Sequence, residues 1–226
     1  MKKSILKTAV MLLSAVMLQN TAAYAAEYSD VPASHWAYSN IEYISELGIV
    51  SGYDDGTYRP DANVTRAEWA KMLCSVIQTR SISDMWLRSE LMQSGDLTAN
   101  DWSAKYMMAV KGYLSYYRNR SDGLYYYFPD RAATREEVAT SIVRILGYTI
   151  DENDYSALSD YTDVGDIDES VKKYVNADVK YGIISGYDDG TIRAGNPVTR
   201  AEAAVLMQKL IGRAVGMNGY TNVLNI

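Results

Sequence analysis

An all-α fold of three helix-loop-helix units is the expectation from sequence, and three observations carry it. First, Ser51-Gly52-Tyr53-Asp54-Asp55-Gly56-Thr57 returns letter for letter as Ser185-Gly186-Tyr187-Asp188-Asp189-Gly190-Thr191, 134 positions later. Second, a Thr-Arg-x-Glu element occurs three times, beginning at Thr65, Thr134 and Thr199. Third, apolar residues recur at helical spacing on both sides of the repeated loop. A single short helical pair cannot bury both of its apolar faces, so the units are expected to share one core.

Unit one occupies 28–79. Its first helix carries Trp36, Ile41, Ile44 and Leu47 and is ended by Gly48. The Gly-Tyr-Asp-Asp-Gly-Thr segment has the residues of a shaped turn. A second helix begins at Thr65 and runs through Trp69, Met72, Leu73 and Val76. A linker helix around Asp84 to Gln93 fills 80–95. Unit two, 96–147, places Trp102 ahead of Ala104, Tyr106 and Val110, and its second helix carries Val138, Ile142, Ile145 and Leu146. Its loop is longer, with 22 positions from Gly112 to Thr134 against 17 from Gly48 to Thr65. Tyr116 lies in the region of the missing glycine, and Tyr125-Tyr126-Tyr127 is inserted. Unit three, 160–212, has Ser170 where the register predicts tryptophan, and a helix through Ala203, Leu206, Met207 and Leu210. A tail follows at 213–226.

Residues 1–25 read as a cleaved secretory signal. Lys2, Lys3 and Lys7 precede an apolar run from Ala9 to Leu18, and Ala23-Tyr24-Ala25 supplies small residues for cleavage. The run is short for a bilayer, so an exported protein with no membrane span after cleavage is expected. Loss of the three lysines takes the formal charge from −6 to −9. So acidic a chain lacks the basic surface that nucleic acid requires, and an anionic ligand has to be gripped locally.

Little points to catalysis or a cofactor. The lone Cys74 excludes an internal disulfide framework and a cysteine-based zinc site, and its helical spacing suggests a buried, inert thiol. His35 is the only histidine, which leaves no partner for a histidine-based triad or multi-histidine metal site. Asp54-Asp55 and Asp188-Asp189 read as structural turns rather than glycosidase acids or calcium ligands. Tyr125 to Tyr127 either stack on sugars or pack an edge.

Thr followed three residues later by Glu, ahead of an apolar run, is a capping box. The arginine inside it needs another explanation. Arg66, Arg135 and Arg200 each stand at the first helical position, where positive charge opposes the helix dipole by about 0.3–1 kcal/mol. Free helix amides with a guanidinium fork would make a carboxylate or phosphate site. The alternative is an internal ion pair with an acid such as Asp30 or Asp163.

The combined motif resembles the S-layer homology family. It comprises Tyr28-Ser29-Asp30-Val31, His35-Trp36-Ala37, Gly48-Ile49-Val50 leading into the repeated loop, and Thr65-Arg66-Ala67-Glu68. The resemblance covers most of 28–212 in three copies. It implies a pseudo-threefold bundle with grooves between adjacent units, and non-covalent attachment to secondary cell wall polysaccharide through an acidic, often pyruvylated, sugar. By the same resemblance Arg66, Arg135 and Arg200 bind the acidic sugar, and Asp30 and Asp163 order the groove or accept sugar hydroxyls. Gly52 and Gly186 let backbone approach the ring. Trp36 and Trp102 have an apolar or stacking role, with buried packing favoured. The expected location is the cell wall, with a surface protein as a further candidate partner. A rival expectation is a structural or protein-interaction module that binds no glycan. A wall hydrolase is disfavoured, because the repeats fill 28–212 and leave no room in that span for a catalytic domain.

Overall fold

The computed structural model describes residues 28–77 and 83–216. The expected signal at 1–25 and most of the tail lie outside these residues. Among these residues seven α-helices dominate: α1 (Tyr38–Glu46), α2 (Arg66–Ile77), α3 (Asp84–Leu91), α4 (Ala104–Val110), α5 (Arg135–Leu146), α6 (Lys172–Lys180) and α7 (Arg200–Gly216). The fold is mainly helical, with one departure from the all-α expectation. The tyrosine-rich insertion of unit two forms an antiparallel ribbon of β1 (Tyr117–Arg118) and β2 (Tyr125–Tyr126). Its extra residues leave the chain with room to double back, and aromatic side chains suit a pleated edge. Helix α7 also runs through Gly216, into the stretch assigned to the tail.

Each unit contributes a first helix (α1, α4, α6) and a capped second helix (α2, α5, α7). Helix α2 packs on α4, α5 on α6, and α7 on α1, so each second helix lies against the next unit's first helix and the last contact returns to the start. The faces that meet are the apolar stripes. Ile41 and Ile44 of α1, Trp69 and Leu73 of α2, Met107 and Met108 of α4, Ile142 and Leu146 of α5, and Met207 and Leu210 of α7 are all essentially inaccessible to water. Burial of one such side chain contributes about 1.5–3 kcal/mol. The indole N–H of Trp69 donates to the Ser141 hydroxyl at 2.9 Å, so the polar atom of this core residue is satisfied. Gly48 and Gly182, with φ of +68° and +69°, take the left-handed step that ends α1 and α6. Cys74 is half-buried rather than buried, with its thiol 3.5 Å from the Tyr106 carbonyl.

The backbone just ahead of the three second helices closes a ring. Val64 N–H donates to the Val198 carbonyl (3.0 Å), Val198 N–H to Ala133 (2.9 Å), and Ala133 N–H to Val64 (2.9 Å). The loop after each first helix is pinned in its turn by an aspartate. Asp30 accepts from the amides of Tyr58 and Arg59, both at 2.7 Å, and Asp163 from those of Ile192 and Arg193, both at 2.8 Å. In unit two Asp96 accepts from the amides of Tyr127 and Phe128. The clamp has a clear purpose, because Arg59, Phe128 and Arg193 all carry positive φ, between 50° and 58°. That conformation costs a residue with a side chain about 1–2 kcal/mol, which the two charge-assisted hydrogen bonds offset.

Candidate functional site

All three capping boxes form. Thr65 N–H donates to Glu68 (2.8 Å), Thr134 N–H to Glu137 (3.0 Å) and Thr199 N–H to Glu202 (3.0 Å), and each threonine hydroxyl accepts the glutamate's amide in return. The helix openings are nevertheless not free for an anion, which corrects the expectation from sequence. The amides of Arg66 and Ala67 donate to the carbonyls of Arg131 and Pro129. Those of Arg135 and Glu136 donate to Asn196 and Ala194, and those of Arg200 and Ala201 to Ala62 and Pro60. A neighbouring loop thus consumes the donors that a carboxylate would need.

The three arginines are buried, at 4%, 7% and 9% exposure, and each reaches into the loop of the adjacent unit. Their Nε atoms donate to equivalent carbonyls: Arg66 to Tyr127 (2.6 Å), Arg135 to Ile192 (3.2 Å) and Arg200 to Tyr58 (2.8 Å). Their Nη2 atoms donate to the carbonyls of Ser115, Ser185 and Ser51 in the same order. Neither Asp30 nor Asp163 pairs with them. Arg66 Nη1 lies 2.5 Å from Glu137, which also pairs with Arg131, and Arg135 Nη1 lies 3.4 Å from Glu202. Arg200 stands apart. Among the described residues its Nη1 has no hydrogen-bond or ion-pair partner, and its charge faces the rings of Tyr58 and Tyr53 at 4.5 and 5.2 Å.

Around each arginine lies a groove built from all three units. The Arg200 groove, of about 210 Å³, is lined by Ser51, Gly52 and Tyr53 of unit one, Glu68 and Lys71 of α2, and Trp102 of unit two. The Arg135 groove, of about 290 Å³, is lined by the matching Ser185, Gly186 and Tyr187, Glu202 and Lys209 of α7, and Trp36 of unit one. The Arg66 groove, of about 260 Å³, has Ser115, Tyr116 and Tyr117, with Ser170 where the other two have tryptophan. Trp36 and Trp102 are 64% and 55% exposed, so the buried packing favoured from sequence is not what they have; each lies at the edge of a groove with most of its surface open to water. Lys71 and Lys209 were not singled out in the sequence, where a surface lysine on a helix carries no signal.

Charge separates the grooves. Arg200 and Lys71 face one carboxylate, Glu68, and Arg135 and Lys209 face one, Glu202. Arg66 and Arg131 instead face three: Glu136, Glu137 and Asp168. Burial works to raise the Glu137 carboxyl, but Arg66, the Thr134 amide and Arg131 outweigh it and hold the group below its ordinary range. Glu137 is therefore a fixed internal counter-ion. The first two grooves keep one positive charge in excess and the third keeps one negative.

Gly52 and Gly186 line their grooves, but the need for glycine there is internal. A Cβ on Gly52 would stand 2.4 Å from the Tyr28 ring and 2.7 Å from the Thr57 carbonyl; on Gly186 it would meet Tyr161 at 2.0 Å and Thr191 at 2.7 Å. Asp30 and Asp163 line none of the three grooves and act on the loop backbone. The sequence reading missed their counterpart Asp96, although Asp96 precedes Trp102 by the same six positions that separate Asp30 from Trp36. Asp55 behaves as the turn residue expected. Its carboxylate accepts from the Thr57 hydroxyl and amide and pairs with Arg59, which together hold it down to about 2. His35 Nδ1 accepts the Ala37 amide at 3.1 Å, a local turn ahead of α1. Among the described residues no helix is long and apolar enough to cross a membrane.

A family model described as S-layer homology domain matches residues 27–70 and 160–204. Over all of its length the chain is 26% identical to S-layer protein EA1 of Bacillus anthracis, covering 25% of that protein. It is 27% identical over 90% of its length to an S-layer protein of Bacillus licheniformis, covering 22% of it. It is 24% identical over 81% of its length to a cellulosome-anchoring protein of Acetivibrio thermocellus, covering 36% of it. The chain thus spans between about a fifth and just over a third of these relatives.

Proposed function

The chain belongs to the S-layer homology family, and on that premise we propose that it attaches non-covalently to the bacterial cell wall by gripping an anionic secondary polysaccharide. In this reading the mature protein resides at the cell surface as three tandem repeats in a pseudo-threefold bundle. The closed ring through Val64, Ala133 and Val198 supports that arrangement. The acidic sugar, of the pyruvylated kind, enters the Arg200 groove first and the Arg135 groove second.

The observation that carries this is the state of Arg200. It is a buried guanidinium with an unpartnered Nη1, in a groove with two cations against one carboxylate and an exposed tryptophan at its edge. A sugar carboxylate completes the charge, and Trp102 offers its face to the ring. Arg66 is already paired with Glu137, so in this reading the Arg66 groove does not take the acidic sugar. Asp30 and Asp163 contribute by fixing the loops on which the serine carbonyls sit. The names of the relatives, S-layer proteins and an anchoring protein, support a surface-anchoring role.

The test is sedimentation with purified cell walls, before and after removal of their acidic polysaccharide. Trp102→Ala and Lys71→Ala alter exposed or rim positions and should leave the fold intact by circular dichroism. Each should weaken binding to intact walls about three- to tenfold. Equal binding to intact and stripped walls would overturn the proposal.

A further inference from the structure

The tyrosine-rich insertion of unit two builds a second cavity, of about 240 Å³, apart from the arginine grooves. Its walls are Tyr116, Tyr125 and Tyr127 on one side and Glu90, Gln93 and Lys111 on the other. The aromatic wall is held together by its own ring contacts and by the backbone. Tyr116 meets Tyr125 edge to face at 5.1 Å and Tyr127 at 6.1 Å. The backbone of Tyr125 is tied to the end of α3, donating to the Gln93 carbonyl and accepting from the Gly95 amide, both at 2.8 Å. The cavity is therefore formed before any ligand arrives.

Two features say what it would hold. Tyr127 is only 5% exposed, and its hydroxyl, which has no hydrogen-bond partner among the described residues, is not sealed in the core with the unsatisfied atoms of Asn176 and Asp178. Its counterpart Tyr58 in unit one donates to the Arg200 carbonyl at 3.2 Å. Burial, with Glu90 nearby, pushes the Tyr127 phenol up to about 12, so it remains a donor. Second, the charges inside the cavity cancel, because Lys111 is ion-paired to Glu90. The polar groups on offer are a phenol, a primary amide and a neutralised carboxylate-ammonium pair.

We infer that this cavity is a binding site for an uncharged pyranose sugar, whose C–H face lies on the tyrosine wall and whose hydroxyls bond to Tyr127, Gln93 and Glu90. A flat ring with an apolar face and a polar rim matches an aromatic wall opposite an amide and a carboxylate. An acidic sugar has no unpaired cation to meet there. The site rests on the reading of the chain as a glycan binder, and it extends that reading to a neutral residue. Tyr116 lines both this cavity and the Arg66 groove, so the insertion sets the site beside the groove that carries the negative excess.

The experiment is titration of the ¹⁵N-labelled protein with maltotriose and, separately, N-acetylchitotriose, followed by amide shifts. One of these uncharged probes should move the Gln93, Gly112 and Tyr125 amides saturably, in the parent and equally in Trp102→Ala, whose replaced side chain is exposed and lines only the Arg200 groove. Tyr116→Ala and Tyr127→Phe, the latter keeping the ring, should each weaken that binding about three- to tenfold. No shift with either probe, shifts confined to the Arg200 groove, or parental affinity in both tyrosine variants would overturn the site. Wall sedimentation with Trp102→Ala is read separately, so failure here leaves the acidic-sugar reading standing, and the reverse holds too.

Discussion

Replacing Asp178 with isoleucine should make the protein more stable. Asp178 lies on α6 with no exposure to water, and neither carboxylate oxygen has a hydrogen-bond partner among the described residues. The nearby Lys209 ammonium donates instead to the Ile183 carbonyl at 2.7 Å. Unit one has Ile44 at the matching position, 134 residues earlier, and it too is fully buried. An unsatisfied buried polar group costs about 1–3 kcal/mol, and burying an isoleucine contributes about 1.5–3 kcal/mol, less some crowding from its larger volume. A net gain of about 2–4 kcal/mol follows, which at this chain length raises Tm by about 5–15 °C. The pH dependence supplies a second signature. Burial holds the Asp178 carboxyl well above its ordinary range, with Lys209 opposing only in part. The folded protein therefore keeps a proton that the unfolded chain releases above about pH 4. Parent stability should fall as pH rises from there towards the raised folded value, and the variant should lack that slope. Thermal denaturation of both proteins from pH 4 to 8 measures it. An unchanged or lower Tm in the variant, with parallel pH profiles, would refute the reasoning.

Two further outcomes can be checked by urea denaturation. Asp163→Ala removes the acceptor of two amides and should cost about 2–4 kcal/mol, of which adding Arg193→Gly recovers about 1 kcal/mol, because glycine takes the φ of 51° without strain. Glu137→Gln keeps the cap but strips Arg66 of its counter-ion, and should cost about 1–3 kcal/mol at neutral pH. Since the folded Glu137 carboxyl sits below its ordinary value, that contribution is present at neutral pH and is lost as pH falls below about 4.5; the two proteins should converge in acid.

Local chemistry is what the sequence made legible. Thr65, Thr134 and Thr199 each cap a helix as the Thr-Arg-x-Glu spacing predicts, because a capping box closes within four residues. Ser170 lies in the place of the missing tryptophan, since register along a repeat is preserved in space. What was not legible depends on partners far along the chain. The amides of Arg200 and Ala201 are taken by Ala62 and Pro60, and the charge of Arg66 by Glu137, contacts that no local pattern announces. The same holds for the ribbon: three consecutive tyrosines do not say whether they face sugar or core, and the backbone places Tyr127 inward while Tyr125 and Tyr126 stay half-buried.

The ring through Val64, Ala133 and Val198 also bears on how such a protein can evolve. An open stack of repeats grows by adding a copy at either end, because its terminal copy offers the same surface as any other. Here the last second helix already rests on the first unit, and every donor at the three-way junction has its acceptor. A fourth copy would find no vacant edge to join, and removal of one would strand amides and carbonyls on both neighbours. Closure of this ring therefore leaves sequence change within a unit, such as the tyrosine insertion, as the variation that the junction tolerates without losing a hydrogen bond.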